Sequence, residues 1–178
     1  IIVLAATFIL EKNPELIQPV QTPTIGPTVQ AMMVEGWLSS DITQIEILDS
    51  QGSRLKILQI EEGNWVIALP DGDVADAGIV EEIRTQITAA RTTSFLDPGY
   101  DLNAIGLSIP SNTLTIRSAQ GRETVIHIGQ LTPTGTGYYV KVDNSAPAVV
   151  SKFSIDDILR NLQRDVLVHL ETFPTTQP

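Results

Sequence analysis

The sequence predicts an α+β fold: antiparallel sheet built from two repeated strand-hairpin-strand-helix units, preceded by a transmembrane helix. Three observations lead there. Short segments alternate apolar and polar residues between turn residues, two amphipathic helical segments each close a run of such strands, and the chain opens on ten uncharged apolar residues.

In the first unit, Ile42 to Leu48 carries apolar Ile45 and Ile47 beside polar Gln44 and Glu46, the period-2 signature of a half-buried strand. Asp49-Ser-Gln-Gly52 is a turn, and Arg54 to Ile60 alternates again, so the two should pair as a hairpin. After the turn Glu61-Glu-Gly-Asn64 comes the strand Trp65 to Leu69, which Pro70-Asp-Gly-Asp73 stops. Asp76 is placed to cap a helix from about Ala77 to Arg91. Ile79, Val80, Ile83 and Ile87 fall on one face of it.

The second unit repeats the order. Asn112 to Arg117 is a strand, Ser118-Ala-Gln-Gly121 a turn, and Glu123 to Ile128 its partner. A Gly/Thr/Pro-rich loop over 129–137 leads into Tyr138 to Val142, a turn at Asp143, and the short apolar run Ala148 to Val150. Ser154 with Asp157 reads as a capping box opening a helix from about Ile155 to Leu170, with Ile158, Leu159, Leu162 and Val166 on its apolar face. The Gln-Gly turns at 51–52 and 120–121 are each followed by an arginine, and the repeat runs over about 37–91 and 112–170. Strands closed by helices imply antiparallel sheet with helices on one face.

The ends differ from this body. Residues 1–10 span only about 15 Å as a helix, half of a bilayer core, so residues 1–12 are expected to be the C-terminal part of a transmembrane helix. Residues 13–36, with Pro14, Pro19, Pro23 and Pro27, read as an extended linker. The α+β domain is then 37–171, and 172–178 is a flexible Pro/Thr-rich tail.

Composition narrows the chemistry. Against 11 basic side chains stand 21 acidic ones, a net charge of -10 that repels nucleic-acid backbones and offers no basic patch to anionic lipid. With no cysteine there is no disulfide, thiolate metal site or cysteine nucleophile. Asp71, Asp73 and Asp76 resemble the start of a calcium loop, but Ala75 and Asp76 stand where an oxygen ligand and a glycine are required. A solvated turn and a helix cap account for these acids. His127 lies in a strand and His169 near a helix end, neither at metal-ligand spacing from another ligand type. Gly135-Thr-Gly137 lacks the rest of a phosphate loop, and no nucleophile-elbow motif occurs. The expectation is therefore no catalytic, cofactor or metal site. The best functional candidates are aromatic: Trp37, Tyr138 and Tyr139 as anchors for a protein interface or the membrane edge.

The ordered set Ile42-Thr-Gln-Ile-Glu-Ile, Gly63-Asn-Trp65, Leu69-Pro70, Ala75-Asp76, Ile105-Gly-Leu-Ser-Ile-Pro110, Ile126-His-Ile-Gly129 and Gly137-Tyr-Tyr-Val-Lys-Val-Asp143 resembles the domain of unknown function 4340 family over about 37–167. Ile105 stands where that family often has tyrosine. The resemblance implies a membrane-tethered bacterial domain, often encoded with ABC-type transport or gliding-motility components and carrying no catalytic residues. The expected function is a non-catalytic, membrane-anchored accessory subunit of a transport or electron-transfer complex. It would be single-pass, with its domain on the extracytoplasmic side, and its partners would be the other subunits and the membrane, not nucleic acid. The alternative is a ligand-binding auxiliary module of an ABC-type transporter.

Overall fold

Alternating sequences place one side of each strand in the core, and the computed structural model, which describes residues 30–70 and 72–168, shows how those sides are joined. The order is β1 (Ile42–Asp49), β2 (Arg54–Glu61), β3 (Asn64–Leu69), β4 (Asp73–Ala75), α1 (Ala77–Ala89), β5 (Thr92–Phe95), β6 (Asn112–Ser118), β7 (Glu123–Leu131), β8 (Gly137–Val142), β9 (Ala148–Ser151), α2 (Lys152–Asn161) and α3 (Arg164–Leu167). Among the described residues nine strands form one sheet, ordered β4-β3-β2-β1-β6-β7-β8-β9-β5, and every pairing is antiparallel. The fold is α+β.

The two meanders, β1–β4 and β6–β9, run outward from the central β1/β6 pair, each followed by a helix. Register carries the core across that seam. Ile45 lies opposite Ile57 on one side and Ile116 on the other, and Leu114 joins Ile47 to Ile126. Ile45, Ile57, Ile116 and Ile126 are fully buried. Each such side chain contributes about 1.5–3 kcal/mol of burial free energy. The opposite face carries Glu46, Thr115, Arg117, His127 and Lys141, all part-exposed. There Glu46 pairs with Arg54 at 3.3 Å and Arg117 at 3.8 Å. A one-residue slip would exchange these two sets, so the alternation specifies the register.

Helices cover the apolar face. The Asp76 carboxylate accepts from Gly78 N at 2.8 Å and Ile79 N at 3.0 Å, capping α1, whose Val80, Ile83 and Ile87 enter the core. α1 leaves β4 at one sheet edge and delivers the chain to β5 at the other. Its 13 residues span about 20 Å, whereas nine flat strands are about 38 Å wide. The sheet therefore curls around the helix. Strand twist and the register shifts near Ile42/Gln44, Lys56/Ile57, Gln59/Glu61, Thr92/Ser94 and Ile128/Leu131 accommodate that curl.

Several expectations are corrected. The linker does not run to residue 36: Met33 and Val34 are buried, Met33 N donates to Ala90 O at 2.8 Å, and Thr92 N donates to Ala31 O at 2.9 Å. Residues 31–37 are thus a strap on the body. β3 ends at Leu69, before Pro70, as expected, but Asp73–Ala75 adds the unexpected strand β4, and a further strand, β5, follows α1 directly. β7 continues to Leu131, into the expected loop. The second helix starts at Lys152, not Ile155, because β9 runs straight into it and Lys152 N donates to Thr136 O at 3.0 Å. Ser154 therefore lies inside the helix and forms no capping box.

That helix also ends early, at Asn161, whose side-chain amide donates to Gln86 of α1 at 3.3 Å. The chain then re-aims so that Leu167, not Val166, is fully buried, and Leu167 O accepts from Asp76 N at 2.8 Å. The expected anchor over 1–12, Asp71, His169 and the tail 172–178 lie outside the described residues. Among the described residues no helix is long and apolar enough to cross a membrane.

Candidate binding cleft

One corner of the apolar sheet face is not fully covered. The strap arches over the ends of β7, β8 and β9 beside the turn 143–146 and leaves a cleft of about 440 Å³. Its lining is largely apolar: Val140 and Val142 from β8, Ala148 and Val150 from β9, Phe95 from β5, and Met32, Met33 and Val34 from the strap. Phe95 is 57% exposed and Met32 39%, so these two stand at the open side.

Trp37 anchors the strap. Its indole N–H donates to Thr124 Oγ1 at 3.1 Å, and both residues are buried. The Arg122 guanidinium lies 4.4 Å above the indole centroid, a cation–π distance. Arg122 also donates to Gly36 O at 2.6 Å and Glu35 O at 2.8 Å. Gly36 has φ +68, a left-handed conformation that turns both carbonyls toward the arginine at little steric cost. Among the described residues Arg122 makes no ion pair, and two of its five N–H donors are used. On the facing wall Asp143, at φ 47, accepts from Val125 N at 2.8 Å. Glu35, Asn144 and Ser145 also line the polar rim.

The three aromatic candidates do not converge. Trp37 is a core residue, 6% exposed, with its ring covered by Arg122, so it presents little surface to a partner. Tyr138 faces the helices: its hydroxyl donates to Asp156 at 2.9 Å, and Asp156 also pairs with Lys152. Burial first, and then the hydrogen bond to Asp156, pushes the phenol pKa up. Partial burial alone would raise Asp156, but the bonds from Lys152 and Tyr138 and the nearby cations outweigh it and hold the carboxyl low. Tyr139 alternates onto the opposite face, half-buried, across from Val149. The pair therefore splits across the sheet, one tyrosine inward and its neighbour outward.

Other candidates are structural. Asp76 caps α1, and Asp73 pairs with Arg164. His127 sits on the helix-free face with Nδ1 3.4 Å from Thr113 Oγ1; burial and then the Lys141 charge lower its pKa, against the pull of Asp143. Among the described residues no cluster of His, Asp or Glu is arranged to hold a metal.

Two arginines were missed from sequence. A second, more open cleft of about 890 Å³ contains Trp65 and Arg84, whose guanidinium lies 5.3 Å from the indole centroid. Arg84 is 8% exposed and donates to Ser39 O at 2.6 Å. Each tryptophan is thus stacked by an arginine remote in sequence. The arginine after the second Gln-Gly turn was the available signal for Arg122; nothing local marked Arg84, since it interrupts the apolar face of its helix. In comparisons with known proteins, no family model, no curated protein and no solved structure matches the chain.

Proposed function

We propose that this chain is a non-catalytic accessory subunit of a membrane complex, anchored through residues 1–12, whose extracytoplasmic domain works by binding. The single observation behind this reading is the uncovered corner of the core face, with Phe95 and Met32 exposed at its mouth. Exposed apolar groups grouped at a concave site are a mark of binding surfaces. The resemblance to the domain of unknown function 4340 family, which implies a membrane-tethered domain often encoded with ABC-type transport or gliding-motility components, agrees with a tethered subunit of a transport assembly. Two meanders related through the β1/β6 seam agree with a duplicated unit. A photo-crosslinking amino acid at position 95 tests the reading in intact membranes. It should trap one partner subunit that also co-purifies stoichiometrically in mild detergent. Recovery of the chain as a lone, uncrosslinked monomer would count against it.

A second reading, a ligand-binding auxiliary module of an ABC-type transporter, is favoured by the composition of the cleft. An apolar floor meets a few polar groups at one rim, and the volume falls within the range of small-molecule pockets. Binding of a small solute to the isolated chain, abolished when the cleft is filled, distinguishes it from the first.

A further inference from the structure

We propose that the cleft is a site for a medium-chain apolar monocarboxylate, with the hydrocarbon chain on the sheet floor and the carboxylate at Arg122. The inference rests on the ligand-binding reading of this cleft and names the ligand class. Val140, Ala148 and Val150 are 1%, 5% and 0% exposed, so the floor is apolar core surface, and about 440 Å³ leaves room for a single chain. Seating such a chain there removes its own apolar area from water, together with that of the exposed Phe95 and Met32 at the mouth.

The head group follows from the charged residues at the rim. Arg122 is held face-on over Trp37 by its two carbonyl acceptors, which among the described residues leaves three N–H donors unused and no ion pair. Two carboxylates also line the cleft: Asp143 is exposed, with one oxygen engaged by Val125 N, and Glu35 is an exposed strap residue that meets Arg122 through its backbone carbonyl. The fork geometry of a fixed guanidinium suits a carboxylate, and a pre-positioned side chain loses little entropy on binding it. The same stacked arginine closes the strap, so ligand contact and strap closure share one residue.

Equilibrium dialysis of the 178-residue chain against decanoate, decanol and decylamine tests this. Decanoate should bind at one saturable site, with decanol and decylamine weaker by roughly tenfold or more, the value of a lost charge-assisted hydrogen bond. Arg122→Gln should weaken decanoate by roughly tenfold more than it weakens decanol, whose loss reports only the loosened strap. Ala148→Phe, which places a ring in the cleft, should abolish both while circular dichroism shows the fold intact. Should Arg122→Gln fail to fold, the head-group series on the unaltered chain and Ala148→Phe still decide. Equal binding of decanoate and decanol, both lost in Ala148→Phe, overturns the carboxylate assignment and leaves the cleft as a binding site. Binding that survives Ala148→Phe, or no binding of any of the three, overturns the cleft reading as well. Tighter binding of an apolar tetrapeptide with a free C-terminus than of decanoate overturns the acyl-chain assignment.

Discussion

The indole N–H of Trp37 donates to the hydroxyl of Thr124, 87 residues further along the chain, inside the core. This bond, with Arg122 stacked outside it, joins the strap to β7. Trp37→Phe leaves the Thr124 hydroxyl without its donor and weakens the cation–π contact, so it should cost about 2 kcal/mol. Thr124→Val strands the indole N–H and should cost about the same. The double variant should cost less than the sum by about 1 kcal/mol, because removing both partners leaves no orphaned polar group. Urea unfolding of the four proteins measures this, and strict additivity would show that the bond contributes nothing.

The cap of α1 should behave as a local contribution. Asp76→Ala removes the acceptor for two backbone N–H groups and is expected to destabilise by about 1 kcal/mol, with Asp76→Asn losing less. Thermal unfolding monitored by circular dichroism provides the measurement.

Gly129 holds the 102–110 loop against β7. A Cβ there would stand 2.5 Å from Ile105 O and 3.2 Å from Leu107 Cδ2. Gly129→Ala should therefore lift that loop and destabilise by about 1–3 kcal/mol. Gly121→Ala meets no atom within 4 Å, and only its φ of +83 opposes it, so its cost should be the smaller, about 1 kcal/mol. Hydrogen exchange at Gln130 N, which bonds Ile105 O at 3.0 Å, should accelerate in Gly129→Ala and not in Gly121→Ala.

His127 gives the domain a pH dependence of defined sign. Its folded pKa lies below the ordinary value near 6.5, so the unfolded chain takes up the proton first. Stability should be undiminished above about pH 7 and fall as pH drops through about 6.5, until the folded imidazole also titrates. His127→Asn should flatten that part of the profile. Melting temperatures of both proteins between about pH 8 and pH 5 check this, and parallel curves would refute it. The loss belonging to Asp156, whose carboxyl is held low, comes only at more acidic pH, below about 4.

What the sequence by itself determined is local. Period-2 alternation placed β1 and β2, because a strand's faces follow from adjacent side chains, and turn residues bounded β3, β6, β7 and β8. Asp76 marked the start of α1, because a cap needs only the next three residues. The tertiary structure decided the rest. β4 has three residues and β5 reads Thr-Thr-Ser-Phe, too short and too polar to show a period; each is a strand because a sheet edge offers it partners. The second helix breaks at Asn161 although its apolar period continues, because Leu167 fills the space beside Asp76 and α1. The strap resembled a linker because burial of Met33 and Val34 depends on Ala90, Thr92 and Arg122, residues no local pattern connects to it. The cleft has the same origin. It is the part of the core face that two helices and a strap leave open, a property of how elements meet and of no segment alone.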